Sequence, residues 1–125
     1  MSLQVFTSRI SYRGADRLDV TRKSGGVGGT PFAPSWGLLT KFLRRCAGRS
    51  ILTAEDFAEY SDAYLGEMRL SYGSASTHAH WRRLLSLDRV VLCCYCVNPL
   101  RCHRFILRTK ILPALGGVDC GELAK

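Results

Sequence analysis

The sequence predicts a small single-domain α/β fold in which a short, mainly parallel sheet of about three to four strands packs with helices. Its 125 residues suit one domain spanning residues 1–125. Segments with the composition of strands and helices follow one another in the order β, β, α, α, α, β, α. The segment at 89–96 is almost continuously apolar, which is typical of a strand covered on both faces in a parallel sheet.

Three segments of the chain have strand character. Residues 3–10 (LQVFTSRI) and 89–96 (RVVLCCYC) are rich in apolar residues, and residues 17–22 (RLDVTR) predict a shorter strand between them. Residues 23–34 contain four glycines and two prolines, so they predict a mobile loop rather than a boundary between domains. This stretch lacks the Gly-Lys-Ser/Thr ending of a Walker phosphate loop.

Four segments have helical periodicity, at residues 36–46, 54–72, 77–87 and 101–115. Thr53, followed three residues later by an aspartate, resembles the capping box that opens a helix. The second of these helices carries an aromatic stripe with spacings of three and four, formed by Phe57, Tyr60, Tyr64, Met68 and Tyr72. Such a stripe is able to stack nucleic-acid bases, but at helical spacing it predicts a face packed into the core.

The charge balance favours an anionic partner. Eighteen lysines and arginines against ten acidic residues leave a net charge of +8. The arginine fork suits phosphate and carboxylate groups, so we expect a nucleotide or a nucleic acid as ligand. The alternative is a basic soluble protein without such a ligand. No stretch approaches the roughly 20 apolar residues that span a bilayer, and the N-terminal residues lack a signal-peptide pattern, so we expect no membrane partner, a cytoplasmic location and reduced cysteines.

Four of the six cysteines fall within residues 90–104, VVLCCYCVNPLRCHR. Side chains alternate along a strand, so we expect Cys94 and Cys96 on one face and Cys93 and Tyr95 on the other. The helix that follows would hold arginine, cysteine, histidine and arginine in its first turn, where a helix attracts anions and lowers the pKa of a thiol. The segment therefore predicts an anion site with at least one activated cysteine.

Two other interpretations of this segment stay open. Four residues are chemically suitable zinc ligands, namely Cys94, Cys96, Cys102 and His103. Their C-x-C-x5-C-H spacing departs from the usual C-x2-4-C pairs, and adjacent residues of one helix diverge by roughly 100° about its axis. The cysteines also suit a purely structural role, because free cysteine is among the most buried residue types. The intervals to Arg101 do not fit the cysteine-x5-arginine loop of protein phosphatases.

Motifs spread along the chain make it resemble a known family. They are VFTSRISYRGADRLDVTRKSGG, FAPSW, YLGEMRLSY, CYC followed by CHR, and the closing GGVDCGE. In this order, from Val5 to Glu122, they resemble the family called domain of unknown function 488, in particular its short branch in bacteria and phages. Cys93 and Cys120 depart from the pattern. The resemblance implies an α/β domain and a candidate site, but it implies no particular reaction.

The resemblance places the candidate site residues in the first two strands and in the CYC–CHR unit. They are Arg9, Asp19, Arg22, Cys94, Cys96, Cys102, His103 and Arg104. In catalysis, Cys96 or Cys102 would be the thiolate nucleophile, and His103 its general base or proton donor. Asp19 would orient a guanidinium or bind a ribose hydroxyl.

The three arginines of that set would hold the phosphate or carboxylate of the ligand. Arg101, at the start of the predicted last helix, would add to the positive charge, and Ser8 and Ser35 would donate hydrogen bonds to the same anion. Each arginine has the alternative of being a solvated surface residue, and Asp19 that of a simple salt bridge at a strand end.

Three functions are consistent with these residues. The first is an enzyme that acts on a nucleotide or nucleic acid through an Arg/Cys/His anion-binding site at the carboxyl ends of the strands. The second is a non-catalytic module that binds a nucleotide or nucleic acid. The third is a small zinc-binding protein; no other cofactor is predicted.

Overall fold

The protein forms a four-stranded sheet with packed helices, as a computed structural model describes for residues 2–46, 53–96 and 100–123. β1 spans Gln4–Arg9, β2 Arg17–Asp19, β3 Arg89–Cys94 and β4 Val118–Glu122. The three pairings between these strands are all parallel, in the spatial order β2-β3-β1-β4. The prediction of a small α/β domain with a mainly parallel sheet is confirmed.

The strand at the β1 side of the sheet, β4, has no clear sequence signal. Its sequence VDCGE contains one aliphatic residue and a glycine, so neither alternation nor a β-branched run marks it. Gly121 has φ 92°, a left-handed conformation that favours glycine, and the register of β4 against β1 shifts between Val5 and Thr7. Pairing with β1 through backbone groups therefore defines this strand.

The parallel pairing brings the carboxyl ends of three strands to one edge of the sheet. Arg9 at the end of β1 is in register with Cys94 at the end of β3, and Asp19 at the end of β2 is in register with Cys93. This is the edge at which open α/β sheets generally bind their ligands.

Helical segments make up most of the rest of the described chain. α1 spans Gly26–Gly29, α2 Trp36–Cys46, α3 Ala54–Gly73, α4 His78–Leu85, α5 His103–Ile106 and α6 Leu112–Ala114. A 3-10 turn at Thr30–Phe32 follows α1, and a π-helix at Leu107–Ile111 joins α5 to α6. Thr53 caps α3, as predicted, because its hydroxyl accepts a hydrogen bond from Asp56 N at 3.1 Å. Within the described residues, no helix has the length and apolar character needed to cross a membrane.

The aromatic stripe of α3 belongs to the core, as its spacing predicts. Tyr60, Tyr64 and Met68 are at most 5% exposed and pack with apolar residues of the sheet and of the π-helix. Trp81 of α4 is fully buried in the same cluster, and its ring meets Phe32 edge-to-face at a centroid distance of 4.8 Å. These rings are core residues and not an exposed surface for stacking bases.

The glycine- and proline-rich stretch at 23–34 contacts the body of the domain at several points. Phe32 is 1% exposed, and Arg22 donates from Nε and Nη2 to the carbonyl oxygens of Pro34 and Ala33, both at 3.1 Å. Gly29 is needed where it stands, because a Cβ there would lie 1.7 Å from a carbonyl oxygen of β2. The side chain of Arg22 thus holds this stretch to the end of β2.

A short connection, residues 10–16, links β1 to β2 and contacts β3, which lies between them. The Asp16 carboxylate accepts hydrogen bonds from the Tyr12 hydroxyl and from Arg89 Nε, both at 2.5 Å. The Arg89 guanidinium also lies 4.1 Å from the centre of the Phe6 ring. The hydrogen bond from Tyr12 is the main reason that the pKa of Asp16 is below its ordinary value.

We expect Asp16→Asn to lower the free energy of unfolding at neutral pH by at most about 1 kcal/mol, because the side chain of its partner Arg89 is 45% exposed. The pKa of Asp16 is lower in the folded state, so the stabilisation is complete above the unfolded-state pKa of about 4 and is lost as pH falls through the folded-state pKa. Urea unfolding of both proteins at neutral and acidic pH measures the difference. A difference that persists unchanged into acid would contradict this account.

Candidate functional site

Three cysteines and a histidine converge where β3 ends and α5 begins. Cys94 is the last residue of β3, Cys96 lies two residues beyond it, and Cys102 and His103 stand at the start of α5. One ligand atom from each of the four, three Sγ atoms and a ring nitrogen, all lie within 4.8 Å of one another. Cys94, Cys102 and His103 are at most 5% exposed. Cys96 is half-buried, so this set of four residues, the Cys–His cluster, is largely but not wholly shielded from solvent.

The convergence depends on the backbone of Cys102. The sequence predicts a helix from residue 101, in which Cys102 and His103 would diverge by about 100°. The helix instead begins at His103, and Cys102 precedes it in an extended conformation with φ −148° and ψ 153°. Cys102 Sγ consequently lies 3.7 Å from His103 Nδ1. The expectation that these two side chains diverge is wrong, because only one of them is helical.

Of the three thiols in the cluster, Cys94 is the one with a lowered pKa, and its Sγ lies 2.6 Å from Cys102 Sγ. Burial opposes ionisation of Cys94, but hydrogen bonds from Cys102 and Cys96 and the charges of His103 and Arg104 hold its pKa well below the ordinary value. The hydrogen bond with Cys102 acts to lower the pKa of Cys96. The hydrogen bond with Cys94 and burial outweigh this effect, and they raise the pKa of Cys96 to about 12. Burial, followed by the hydrogen bond to Cys94, raises the pKa of Cys102.

His103 is oriented by a backbone carbonyl. Its Nε2 lies 2.7 Å from Val20 O, so this nitrogen carries a proton and donates it to the carbonyl. In the neutral ring, Nδ1 then has its lone pair on the side of the cysteines. The ring also packs edge-on against Tyr64, at a centroid distance of 5.6 Å. Metal-binding histidines are usually oriented by such a second hydrogen bond.

Arg104 places a fully buried guanidinium against the Cys–His cluster. Its Nη1 donates to Cys94 Sγ at 2.9 Å and to Cys96 O at 3.1 Å. Its Nε and Nη2 donate to the two carboxylate oxygens of Glu122, at 3.2 and 2.9 Å. Burial opposes the charge, but the hydrogen bonds to Glu122 outweigh it, and the pKa of Arg104 is raised. The guanidinium is therefore a permanent positive charge beside the thiols.

The other arginines predicted to bind an anion have different surroundings. Arg9 is exposed at the end of β1, in register with the last residue of β3. Arg101 is half-buried and directly precedes Cys102 and His103 in the chain. Arg22 donates to the two backbone carbonyls described above. The structure thus brings Arg104 into the cluster and Arg9 to the same edge, whereas Arg22 holds the glycine- and proline-rich stretch.

Asp19 belongs to a separate hydroxyl network at the end of β2. Its carboxylate accepts hydrogen bonds from Thr21 N at 3.0 Å, from Thr21 Oγ1 at 2.6 Å and from the Ser24 hydroxyl. Ser24 Oγ in turn lies 2.8 Å from the Tyr95 hydroxyl. Ser8 Oγ is buried without a hydrogen-bond partner among the described residues, and its register puts it on the sheet face opposite Cys94.

A comparison with known protein families identifies the family of this chain. Residues 2–114 match the family model described as the active DUF488-N3 subclade. The chain belongs to this family. The match includes the whole Cys–His cluster and Arg104, and it confirms the resemblance to the domain of unknown function 488. No curated protein and no solved structure matches this DUF488-N3 chain at a significant level.

The DUF488-N3 cluster also uses groups that the sequence does not single out as site residues. Glu122 neutralises Arg104 from the edge strand β4, and Val20 orients the histidine through its carbonyl oxygen. The GGVDCGE motif, which contains Glu122, could have indicated this residue from the sequence. No sequence pattern indicates that a particular backbone carbonyl will orient a histidine. Cys93 lies on the opposite face, where burial raises its pKa to about 11, and Cys120 is exposed.

We expect Arg104→Gln to lower the free energy of unfolding by about 3 kcal/mol, because it leaves Glu122 and the Cys94 thiolate without their buried cation. Urea unfolding measures this change. Arg82→Gln is the matched control, since Arg82 is exposed on α4, and it should change stability by no more than about 0.5 kcal/mol. Equal stabilities for the two variants would show that the Arg104 contacts contribute little.

Proposed function

We propose that this DUF488-N3 domain binds a zinc ion through Cys94, Cys96, Cys102 and His103. The observation that carries the proposal is the convergence of four ligand atoms, three of them from buried residues, within 4.8 Å of one another. Three thiolates and one imidazole are a common ligand set for zinc, which prefers four tetrahedral ligands. Zinc–sulfur bonds of about 2.3 Å put neighbouring sulfurs roughly 3.8 Å apart, so Cys94 and Cys102 separate when the ion binds.

The charge of Arg104 supports the same proposal. Zinc with three thiolates and a neutral histidine carries a net negative charge, and burying such a charge without a partner is costly. The Arg104 guanidinium, 2.9 Å from Cys94 Sγ, balances this charge and donates a hydrogen bond to a ligating sulfur. The bond from His103 to the Val20 carbonyl leaves Nδ1 for the ion. The surroundings of the four residues thus suit a bound cation.

The proposed ion has a structural role, because protein atoms fill all four of its coordination positions. It joins the end of β3 to the start of α5 and so fixes the carboxyl edge of the sheet. Arg9 and Asp19 lie at the ends of the neighbouring strands of that edge. A zinc ion here would fix the backbone of the edge at which a ligand would bind.

We expect the protein, purified without chelator, to contain one zinc ion per chain by elemental analysis. Cys102→Ser should weaken zinc binding by at least about 100-fold, since changes to groups that merely orient a metal ligand already cost up to that factor. Cobalt in place of zinc should give thiolate-to-metal charge-transfer absorption. The matched control is Cys120→Ser, which removes an exposed cysteine outside the cluster and should bind zinc normally. Equal zinc content in the two variants, or none in the parent, would exclude the proposal.

A second candidate function is enzymatic action on a nucleotide or nucleic acid at the same edge. It is favoured by the lowered pKa of Cys94, which favours the thiolate form, together with the +8 charge and the exposed Arg9. In this function, His103 would assist the thiolate, Asp19 would bind a ribose hydroxyl, and Arg9 would hold the phosphate. Without catalysis, the edge would serve as a binding module for the same ligands.

Binding of a fluorescent single-stranded oligonucleotide should weaken steeply as salt increases, because neutralised phosphates release their counterions. Arg9→Gln should lower the affinity and reduce the slope of log affinity against log salt by about 0.7. Arg82 lies in the last turn of α4, which leads to the amino end of β3 and so lies away from this edge. Arg82→Gln therefore removes the same charge at a distant position and should leave the affinity and the slope unchanged. Anisotropy titrations measure these values, and flat binding across salt would exclude a nucleic-acid partner.

A further inference from the structure

We infer that a groove on the helical side of the domain binds a small amphipathic anion, namely a medium-chain aliphatic carboxylate. The groove lies between α3, α4 and the helical segment that contains the π-helix, and it encloses about 290 Å³. This is near the lower end of small-molecule sites, about 300 Å³, so the occupant is small. The groove shares no residue with the Cys–His cluster, and the inference does not depend on the proposed zinc ion.

The floor of the groove is apolar. Met68 and Trp81 line it and are 4% and 0% exposed, and Leu65 and Leu115 add aliphatic surface. The indole Nε1 of Trp81 donates to Ser71 Oγ at 2.9 Å, so its single donor already has a partner. An aliphatic chain in this position loses contact with water without leaving a polar group of the indole unsatisfied.

Two cations line the rim of the groove. Arg69 comes from α3 and Lys110 from the π-helix, and both residues are exposed. Over the described part of the chain, neither of them forms an ion pair. None of the residues lining the groove is acidic. A carboxylate at the end of an aliphatic chain would therefore find charge partners at the rim while its tail lies on the floor.

The π-helix is a second and independent indication that the groove is functional. Leu107–Ile111 forms this wider turn, which supplies Lys110 and Ile111 to the lining. π-Helices are rare, occur mostly as single turns within α-helices and are frequent at functional sites. The chain thus adopts an uncommon helix at the segment that provides one of the two cations.

The lining also distinguishes an aliphatic carboxylate from a nucleotide. Besides the two cations, the residues that line the groove are aliphatic or aromatic or contain a thioether. None of them is an amide, a carboxylate or an aliphatic hydroxyl residue, so apart from the two cations and the Tyr72 hydroxyl the described lining offers no side-chain partner for the polar edge of a base. The groove therefore matches a ligand that consists of a hydrocarbon body and one negative charge.

The test uses octanoate as the probe and Trp81 as the reporter. The chain has two tryptophans, so Trp36→Phe, at a residue 58% exposed on α2, leaves Trp81 as the only one. In this background, we expect a saturable change in Trp81 fluorescence with octanoate. Replacing both rim cations, Arg69→Gln with Lys110→Gln, should weaken the binding of octanoate by about tenfold. Octanol has the same chain without the charge, and its binding should be unaffected by these replacements.

The matched control is Arg82→Gln with Arg83→Gln, which removes two exposed charges from α4 outside the groove and should bind octanoate like the parent. Ala114→Phe, which adds a ring to the lining, should prevent binding of both probes, and circular dichroism checks the fold of every variant. The inference is overturned by a missing or non-saturable response. It is also overturned by equal octanoate affinity in the charge-depleted and parent proteins, or by a mononucleotide that displaces octanoate.

Discussion

The carboxyl edge of this domain depends on one buried guanidinium. Arg104 is fully enclosed, and an enclosed charge must be balanced because its desolvation without a partner is very costly. Glu122 balances it from the edge strand β4, and Cys94 accepts its hydrogen bond from the central strand β3. A single side chain at the start of α5 thus joins two strands that are not neighbours in the sheet.

Much of the fold follows from residue periodicity, since the apolar run of β3 and the stripe that contains Tyr60 and Tyr64 lie where the pattern predicts. The extended backbone of Cys102 does not follow from it, because the periodicity also fits a helix that begins two residues earlier, at Arg101. The conformation is instead accompanied by contacts of its sulfur with Cys94 at the end of β3 and with the ring of the following residue, His103. Strand β4 is missed for a related reason: its pairing uses backbone groups that every residue has.

The candidate site could be predicted in part by the chemistry of its residues. Cysteine, histidine and arginine side chains within one short segment do meet, because a strand end and a helix start lie close together in a parallel sheet. Arg22 and Asp19 show the limit of that reasoning. A guanidinium fork that fits a phosphate fits two successive carbonyls equally well, and a carboxylate at a strand end is readily used by nearby hydroxyls. The type of a residue determines which groups it is able to bind, but the fold determines which of those groups lies within its reach.

The hydrogen bond between His103 and the carbonyl of Val20 has a consequence for backbone dynamics. β2 is three residues long and pairs with a single neighbouring strand, so it has few bonds that resist local opening. The imidazole adds an anchor directly after its last residue. Whatever fixes the orientation of that ring therefore also protects the amides of β2 from exchange with solvent. The state of the Cys–His cluster thus affects the stability of the shortest strand of the described sheet.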